Sequence, residues 1–267
     1  MTLIQGDCLQ EMDKLIEQGI KVDLTVTSPP YDNLRTYNNS LVWNEIIWKQ
    51  VIEKLYKITK IGGVVVWVVG DATIKGSETG TSFKQALYFK EVGFNLHDTM
   101  IWDKKSQAVH DYRNKRYKQE TEYMFILSKG KPNTYNEIKD RHVKHAGKII
   151  NKSTKRKADG SIRKFPQIIL GNYQARSNVW HCEPERNSNH PAPFPEKLVH
   201  DHIISWSNEN DIILDPFMGS GTTGKMAKQL NRNFIGIELG DKYFNIAKKR
   251  IEETIYQPDL FSGEVIE

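Results

Sequence analysis

Two short clusters far apart in this 267-residue chain hold residue types that could do chemistry. The first is Thr27-Ser28-Pro29-Pro30-Tyr31. Paired prolines fix the backbone and supply no N–H, so the carbonyls around them project as acceptors toward a ligand amine instead of closing a turn. Tyr31 adds a flat face on which a base can stack, an interaction worth about 1–3 kcal/mol. An exocyclic amine on a base is a poor nucleophile because its lone pair is delocalised into the ring. Hydrogen bonds from that amine to Ser28 and the Pro29 carbonyl would hold it toward tetrahedral geometry. Taken alone, Pro-Pro-Tyr reads better as a structural turn with a core aromatic; the second cluster reverses that preference.

That second cluster is Asp215-Pro216-Phe217-Met218-Gly219-Ser220-Gly221-Thr222-Thr223. Glycines here allow a tight turn and close backbone approach to a ligand, and the helix that follows offers unpaired N–H groups to a carboxylate or phosphate. Glu238 stands 23 residues after Asp215, at the end of the next apolar run, where an acidic side chain can accept from ribose hydroxyls. Strand, glycine turn, helix, strand and terminal Glu in that order is far more specific than a lone Gly-Ser-Gly. A Gly-Lys-Ser/Thr phosphate loop and the nicotinamide glycine fingerprint are both missing.

The elements that must position these clusters alternate as in a doubly wound sheet. Val22 to Val26 is a strand that ends at the Pro-Pro pair, and a helical stripe of Ile47, Val51, Leu55 and Ile58 lies within Trp43–Ile58. Gly62-Gly63 breaks that helix before the apolar strand Val64–Val69. A second helix covers Thr81–Val92, with Phe83, Leu87 and Phe94 on its apolar side, and strands follow at Thr99–Trp102 and Glu122–Leu127. Regularity returns with a helix from Pro195 to about Trp206, strand Ile212–Leu214, a helix from Thr222 to about Leu230, strand Phe234–Ile237 and a last helix from Asp241 to about Thr254.

Between these halves the pattern dissolves and the charge changes. The net charge of the whole chain is +5, yet Lys129–Trp180 holds thirteen Lys and Arg against Glu137, Asp140 and Asp159. The rest is therefore acidic. Such a block suits a polyanion-binding insert, and equally a solvated loop. Cys8 and Cys182 could form at most one bridge, which points to a reduced, cytoplasmic setting. The start lacks signal-peptide features, and no apolar run approaches a membrane span of roughly 18 residues. His181, Cys182 and His190 lack a fourth ligand at metal spacing, so a structural or DNA-facing role is the better reading. His142, His145 and Trp180 are basic or aromatic enough to touch nucleic acid.

The two motifs, in this order, resemble the S-adenosylmethionine-dependent amino-methyltransferases of DNA, in the permuted group whose catalytic motif precedes the cofactor motif. Lys60–Val64, Glu122–Gly130 and His190–Leu198 also look like family segments, so the likeness covers nearly the whole chain. It implies a Rossmann-like, circularly permuted α/β sheet with an antiparallel hairpin strand: a catalytic half over 1–130, a target-recognition insert over 131–180, a cofactor half over 181–258 and a tail over 259–267. Carried over residue by residue, it puts Ser28, Pro29, Pro30 and Tyr31 at the target base. Asp215 would meet the amino end of the methionine moiety, Thr222 and Thr223 its carboxylate, Glu238 the ribose and Asp7, followed by Cys8, the adenine amine. Phe217 and Pro195 would pack beside the cofactor, with Gly219 and Gly221 shaping the turn; Asp7 reads also as a plain helix or turn cap. Ser at the first catalytic position favours cytosine N4 over adenine N6, with Asp32 keeping adenine open. No covalent intermediate is needed, so Cys8 is not a nucleophile, and no metal is expected. The expected partner is double-stranded DNA, in a bacterial, archaeal or phage setting. A monomer or a homodimer, and a companion restriction endonuclease, stay open, as do RNA methylation and a non-catalytic DNA-binding relative.

Overall fold

The computed structural model describes residues 1–30, 43–105, 115–150, 153–184 and 195–256. Tyr31, Asp32 and His190 lie outside them. In chain order the elements are β1 (Thr2–Gln5), α1 (Cys8–Glu17), β2 (Val22–Thr27), α2 (Glu45–Ile58), β3 (Thr59–Val69), β4 (Thr73–Ile74), β5 (Ser77–Glu78), α3 (Thr81–Val92), β6 (Asn95–Asp103) and β7 (Thr121–Ser128). The short strands β8 (Lys139–His142), β9 (Ile149–Ile150), β10 (Ser153–Arg156), β11 (Ile162–Phe165), β12 (Ile168–Ile169) and β13 (Tyr173–Ala175) follow. Then come β14 (Val179–His181), α4 (Glu196–Trp206), β15 (Ile212–Asp215), α5 (Thr222–Gln229), β16 (Asn233–Glu238) and α6 (Asp241–Glu252). No helix among the described residues is long and apolar enough to cross a membrane.

The chain divides into two compact units, one of Met1–Asn136 with Asn178–Glu267, the other of Glu137–Ser177. The first is built on an eight-stranded sheet in the order β1-β16-β15-β2-β3-β7-β6-β14. Every neighbouring pair is parallel except those made by β7, which runs antiparallel to both β3 and β6. The sheet core is apolar on both faces: Leu24, Val26, Val64 to Val69, Ile213 and Leu214 are all buried. Such strands read as near-continuous hydrophobic runs because helices cover both sides.

Right-handed crossovers fix those sides. β2 passes through α2 to β3 on one flank of the sheet, whereas β15 passes through α5 to β16 on the other, so the two helices cover opposite faces. The direction of winding therefore reverses between the adjacent parallel strands β15 and β2. A crevice outside the carboxyl ends of strands at such a reversal is where open α/β sheets bind ligands.

Three local expectations are corrected. Gly62-Gly63 does not end α2, which stops at Ile58 with its C-cap at Thr59; both glycines lie inside β3. Gly62 has φ +80°, and Gly63 leaves no room for a side chain because an added Cβ would lie 2.9 Å from the Asp23 carbonyl oxygen. Phe83 and Leu87 are not the buried stripe of α3, being 48% and 57% exposed. Its inner face is Ser82, Gln85, Ala86 and Phe89. Polar groups won that face through hydrogen bonds: Ser82 N and Oγ donate to Asp71, and Gln85 Oε1 accepts from Trp67 Nε1 at 2.9 Å. Trp180 is 6% exposed and stacks on His202 with ring centroids 4.5 Å apart, which makes it core and not a nucleic-acid contact.

Candidate active site

Four adjacent parallel strands, β1, β16, β15 and β2, end side by side, and each delivers one candidate residue to the same edge of the sheet. β1 is followed by Asp7, β16 ends at Glu238, β15 ends at Asp215, and β2 is followed by Ser28. Strands lie about 4.8 Å apart, so the row spans roughly 14 Å. The order along that row is Asp7, Glu238, Asp215, Ser28.

Asp215 is the hub. Its carboxylate is buried, and Oδ1 accepts from Thr27 Oγ1 at 2.7 Å and from Phe217 N at 3.1 Å. Burial pushes its pKa up to about 6, against the pull of hydrogen bonds from Thr27, Thr223 and Phe217; the charge of Glu238 adds to the rise. The turn after it is tight: Met218 N donates to Ile237 O, and Gly221 N to Met218 O, both at 2.9 Å. Gly219 and Gly221 both have positive φ, +53° and +83°. At Gly221 a Cβ would also come within 2.9 Å of the Ala247 Cβ, so α6 packing demands glycine there as much as the turn does.

Glu238 is half-buried, with Oε2 accepting from Gly219 N and Oε1 from Gly240 N, each at 2.8 Å. Burial raises its pKa in spite of those bonds. Leu239 N adds a third backbone contact, and a carboxylate's four acceptor positions still leave room for a ligand hydroxyl. Asp7 caps α1, with Oδ1 accepting from Leu9 N at 3.0 Å and Gln10 N at 3.2 Å. Burial, with Asp7 next in effect, pushes the Cys8 thiol up to about 12, far from a reactive thiolate. Both cysteines are free.

On the catalytic side, Ser28 and Pro30 are half-buried and Pro29 is buried. Phe217 packs its ring edge-on against Trp43 at 5.4 Å and Trp67 at 6.4 Å. Thr223, fully buried, places its hydroxyl between Asp215 and Val26 O, 3.4 Å from the latter, and so holds the start of α5 against β15 and β2. Pro195 is buried and precedes α4 as its N-cap.

Sequence reasoning missed a clamp behind the glycine turn. Arg250 of α6 donates from Nη1 to Thr222 Oγ1 at 3.0 Å and to Ser220 Oγ at 3.3 Å. Its Nη2 reaches Glu196 Oε1 at 2.6 Å, and Lys225 Nζ meets the same oxygen at 2.5 Å. Burial alone would raise the Glu196 pKa, but these two cations hold it below its usual range. Nothing in the Lys248-Lys249-Arg250 run marks one cation as inward-facing, since solvated helix ends look alike. His181 pairs with Asp103 at 2.6 Å, and no group of three or more metal-ligating side chains occurs among the described residues.

A row of acceptors ending at a buried carboxylate, beside a helix N-terminus, is a donor and acceptor set that fits an adenosyl group carrying an amino acid. The comparisons agree with that chemistry. The family model described as DNA methylase, covering N6 and N4 methyltransferases, matches residues 22–249. The chain belongs to the N6/N4 DNA methylase family. It is an S-adenosylmethionine-dependent DNA methyltransferase. A curated relative, the orphan methyltransferase M.BamHII of Bacillus amyloliquefaciens, is 52% identical over 253 residues, covering 91% of this chain and 93% of its own. The crystal structure of the M1.HpyAVI–SAM complex superposes with a TM-score of 0.62 at 26% identity, covering 94% of this chain and 98% of that one. The PvuII cytosine-N4-specific DNA methyltransferase, at 20% identity and a TM-score of 0.66 over 93% of this chain and 85% of that one, shares the fold. For an N6/N4 DNA methylase the permuted order is plain: β2 and its Ser-Pro-Pro come first in the chain, and β15 with the cofactor-type turn comes last.

Proposed function

We propose that this N6/N4 DNA methylase methylates the N4 amine of cytosine in double-stranded DNA. The observation that carries the reading is Ser28, one residue past Thr27, whose hydroxyl is bonded to Asp215 at the centre of the row. In this reading Asp7 takes the adenine amine, Glu238 the ribose hydroxyls and Asp215 the amino group of the methionine moiety. Thr222 and Thr223 lie near its carboxylate, while Phe217 and Pro195 flank it. S-adenosylmethionine supplies a methyl group made electrophilic by its sulfonium.

The residues of β2 then act on the other reactant. The target nucleotide leaves the duplex stack at a cost of about a few kcal/mol. Tyr31 stacks on the flipped base. Ser28 Oγ and the Pro29 carbonyl accept from its amine and free the nitrogen lone pair for the methyl group. Positive charge grows on that nitrogen, and fixed acceptors stabilise it more than they stabilise the neutral amine. Water takes the surplus proton. Both cytosine and adenine present an amine beside a ring nitrogen, so the preference for cytosine rests on the family resemblance, in which this position is Ser in most cytosine-N4 enzymes and Asp or Asn in most adenine-N6 enzymes. The basic segment 131–180 holds the DNA, and the orphan designation of M.BamHII supports an enzyme working without a dedicated nuclease.

The test is incubation of the protein with unmethylated mixed-sequence DNA and cofactor, followed by nucleoside mass spectrometry, with Ser28→Ala as control. N4-methylcytosine that vanishes in the control supports the reading. N6-methyladenine instead would overturn the target base.

A further inference from the structure

The unit Glu137–Ser177 is one β-arm folded back on itself. Its ladders are nested: β8 pairs with β13, β9 with β12 and β10 with β11, all antiparallel. The chain runs out along one strand and returns along the other, turning at 157–161, where Lys157 N donates to Ser161 O at 2.7 Å. Gly147 N to Leu170 O at 2.8 Å and Val143 N to Asn172 O at 3.0 Å join the inner ladders.

The outermost ladder sets Lys155 opposite Arg163. Like charges directly opposite one another destabilise an antiparallel pair. The arm has eleven Lys and Arg against three acids, and those acids are used elsewhere. Asp140 holds Arg176, Asp159 accepts from Ser161 N and Oγ within the turn, and Glu137 lies 3.6 Å from Lys139. Among the described residues, Lys155, Arg156, Arg163 and Lys164 form no ion pair. The next ladder inward pairs Ile168 with Ile150 and Ile169 with Ile149, and all four are exposed. Alternation puts one isoleucine pair on each face of the ribbon. Arg163 lies over the Phe165 ring at 5.1 Å, but none of these cations is neutralised by an acid among the described residues, and the isoleucine ribbon stays exposed on both faces.

We propose that this arm enters the major groove of duplex DNA as a two-stranded ribbon, with Lys155 and Arg163 against phosphates and the isoleucine ladder against sugars and base edges. The inference rests on the reading of the basic segment as the DNA-holding region. Two strands about 4.8 Å apart, with side chains, fill a major groove about 12 Å wide and exceed a minor groove of about 6 Å. A second copy of the arm is a poor occupant because its surplus of cations would repel its twin.

The experiment measures binding of the full chain to mixed-sequence duplex fragments across a salt series, with methyl green as major-groove and netropsin as minor-groove competitor. Lys155→Ala with Arg163→Ala removes a repulsion, so the ladder stays folded. Affinity should fall at least tenfold, and the slope of log K against log salt by about 2. Ile149→Ser with Ile169→Ser should lower affinity several-fold at unchanged slope, and Ile149→Leu with Ile169→Leu should restore it. Cofactor affinity should hold in all three variants, and methyl green alone should compete. An unchanged slope in the alanine pair overturns both the inference and the basic segment's role. A reduced slope with competition by netropsin overturns only the groove assignment. Loss of a dimer in the serine pair, with DNA affinity intact, would reassign the isoleucines to self-association.

Discussion

The Thr27 hydroxyl donates to Asp215 Oδ1 across 2.7 Å of buried space, joining the ends of two strands that lie 188 residues apart in sequence. This bond links the strand end that precedes Ser28, proposed to meet the target base, to the hub of the row proposed to hold the cofactor. Replacing Thr27 by Val keeps the shape and deletes the donor, leaving a buried carboxylate less satisfied; a hydrogen bond to a charged group is worth about 1.5–3 kcal/mol. Thr27→Val should therefore weaken S-adenosylmethionine binding about tenfold or more, read by isothermal titration calorimetry.

Cofactor binding should depend on pH through Asp215. Its carboxyl titrates at about 6, and only the ionised form attracts an ammonium group. Dissociation constants measured from pH 8 to 5 should be flat above about 7 and rise about tenfold per pH unit below 6. Glu238, also shifted upward by burial, pushes in the same direction. A flat profile through pH 5 would remove Asp215 from the role given to it.

Asp215→Asn should separate function from stability. A folded-state pKa raised from 3.8 to about 6 means that the charged form is disfavoured in the fold. The stability this group confers is complete below about pH 3.8 and is lost as pH rises through 6, a difference of roughly 3 kcal/mol at neutral pH. Asparagine can still accept from Thr27 and Phe217 N. The variant should thus be more stable than the parent at pH 7.5, by up to that amount, while losing cofactor binding; thermal melts at pH 7.5 and 4.5 should show the gain shrink to about a third at the lower pH.

Arg250 is a positioning residue for the glycine turn. Arg250→Ala frees the Ser220 and Thr222 hydroxyls and leaves Glu196 with Lys225 as its cation. The KM for S-adenosylmethionine should rise about tenfold, with kcat at saturating cofactor within about threefold. Arg250→Lys should recover only part, since one ammonium cannot serve Glu196 and Thr222 together. A fall in kcat with KM unchanged would contradict the assignment.

The strands that carry the site were legible because both of their faces are covered. Ile212–Leu214 reads as an unbroken apolar run and Val22–Val26 as a β-branched-rich one interrupted by Asp23, and the turn after Asp215 announced itself through glycines that the backbone does require at 219 and 221. What escaped was anything set by long-range polar contacts. The inner face of α3 depends on Asp71 and Trp67 supplying partners to Ser82 and Gln85, which no periodicity of α3 contains. The arm's ladders are two to four residues long, too short for alternation to register. Arg250 and Glu196 meet only because α6 and α4 both reach the turn, 54 residues apart in sequence.

The strand order has a consequence for synthesis of the protein. β15 and β16 sit side by side between β1 and β2, yet they are made almost last. A nascent chain that has completed β14 holds the two ends of the row but not its middle, with a gap two strands wide where Glu238 and Asp215 belong. The central sheet can close only when the C-terminal segment slides in as a wedge, a non-local pairing of the kind that slows folding. On the proposed site roles, competence for cofactor arrives in one late step, and fragments truncated before β15 should keep Asp7 and Ser28 but have neither a closed sheet nor the two carboxylates between them.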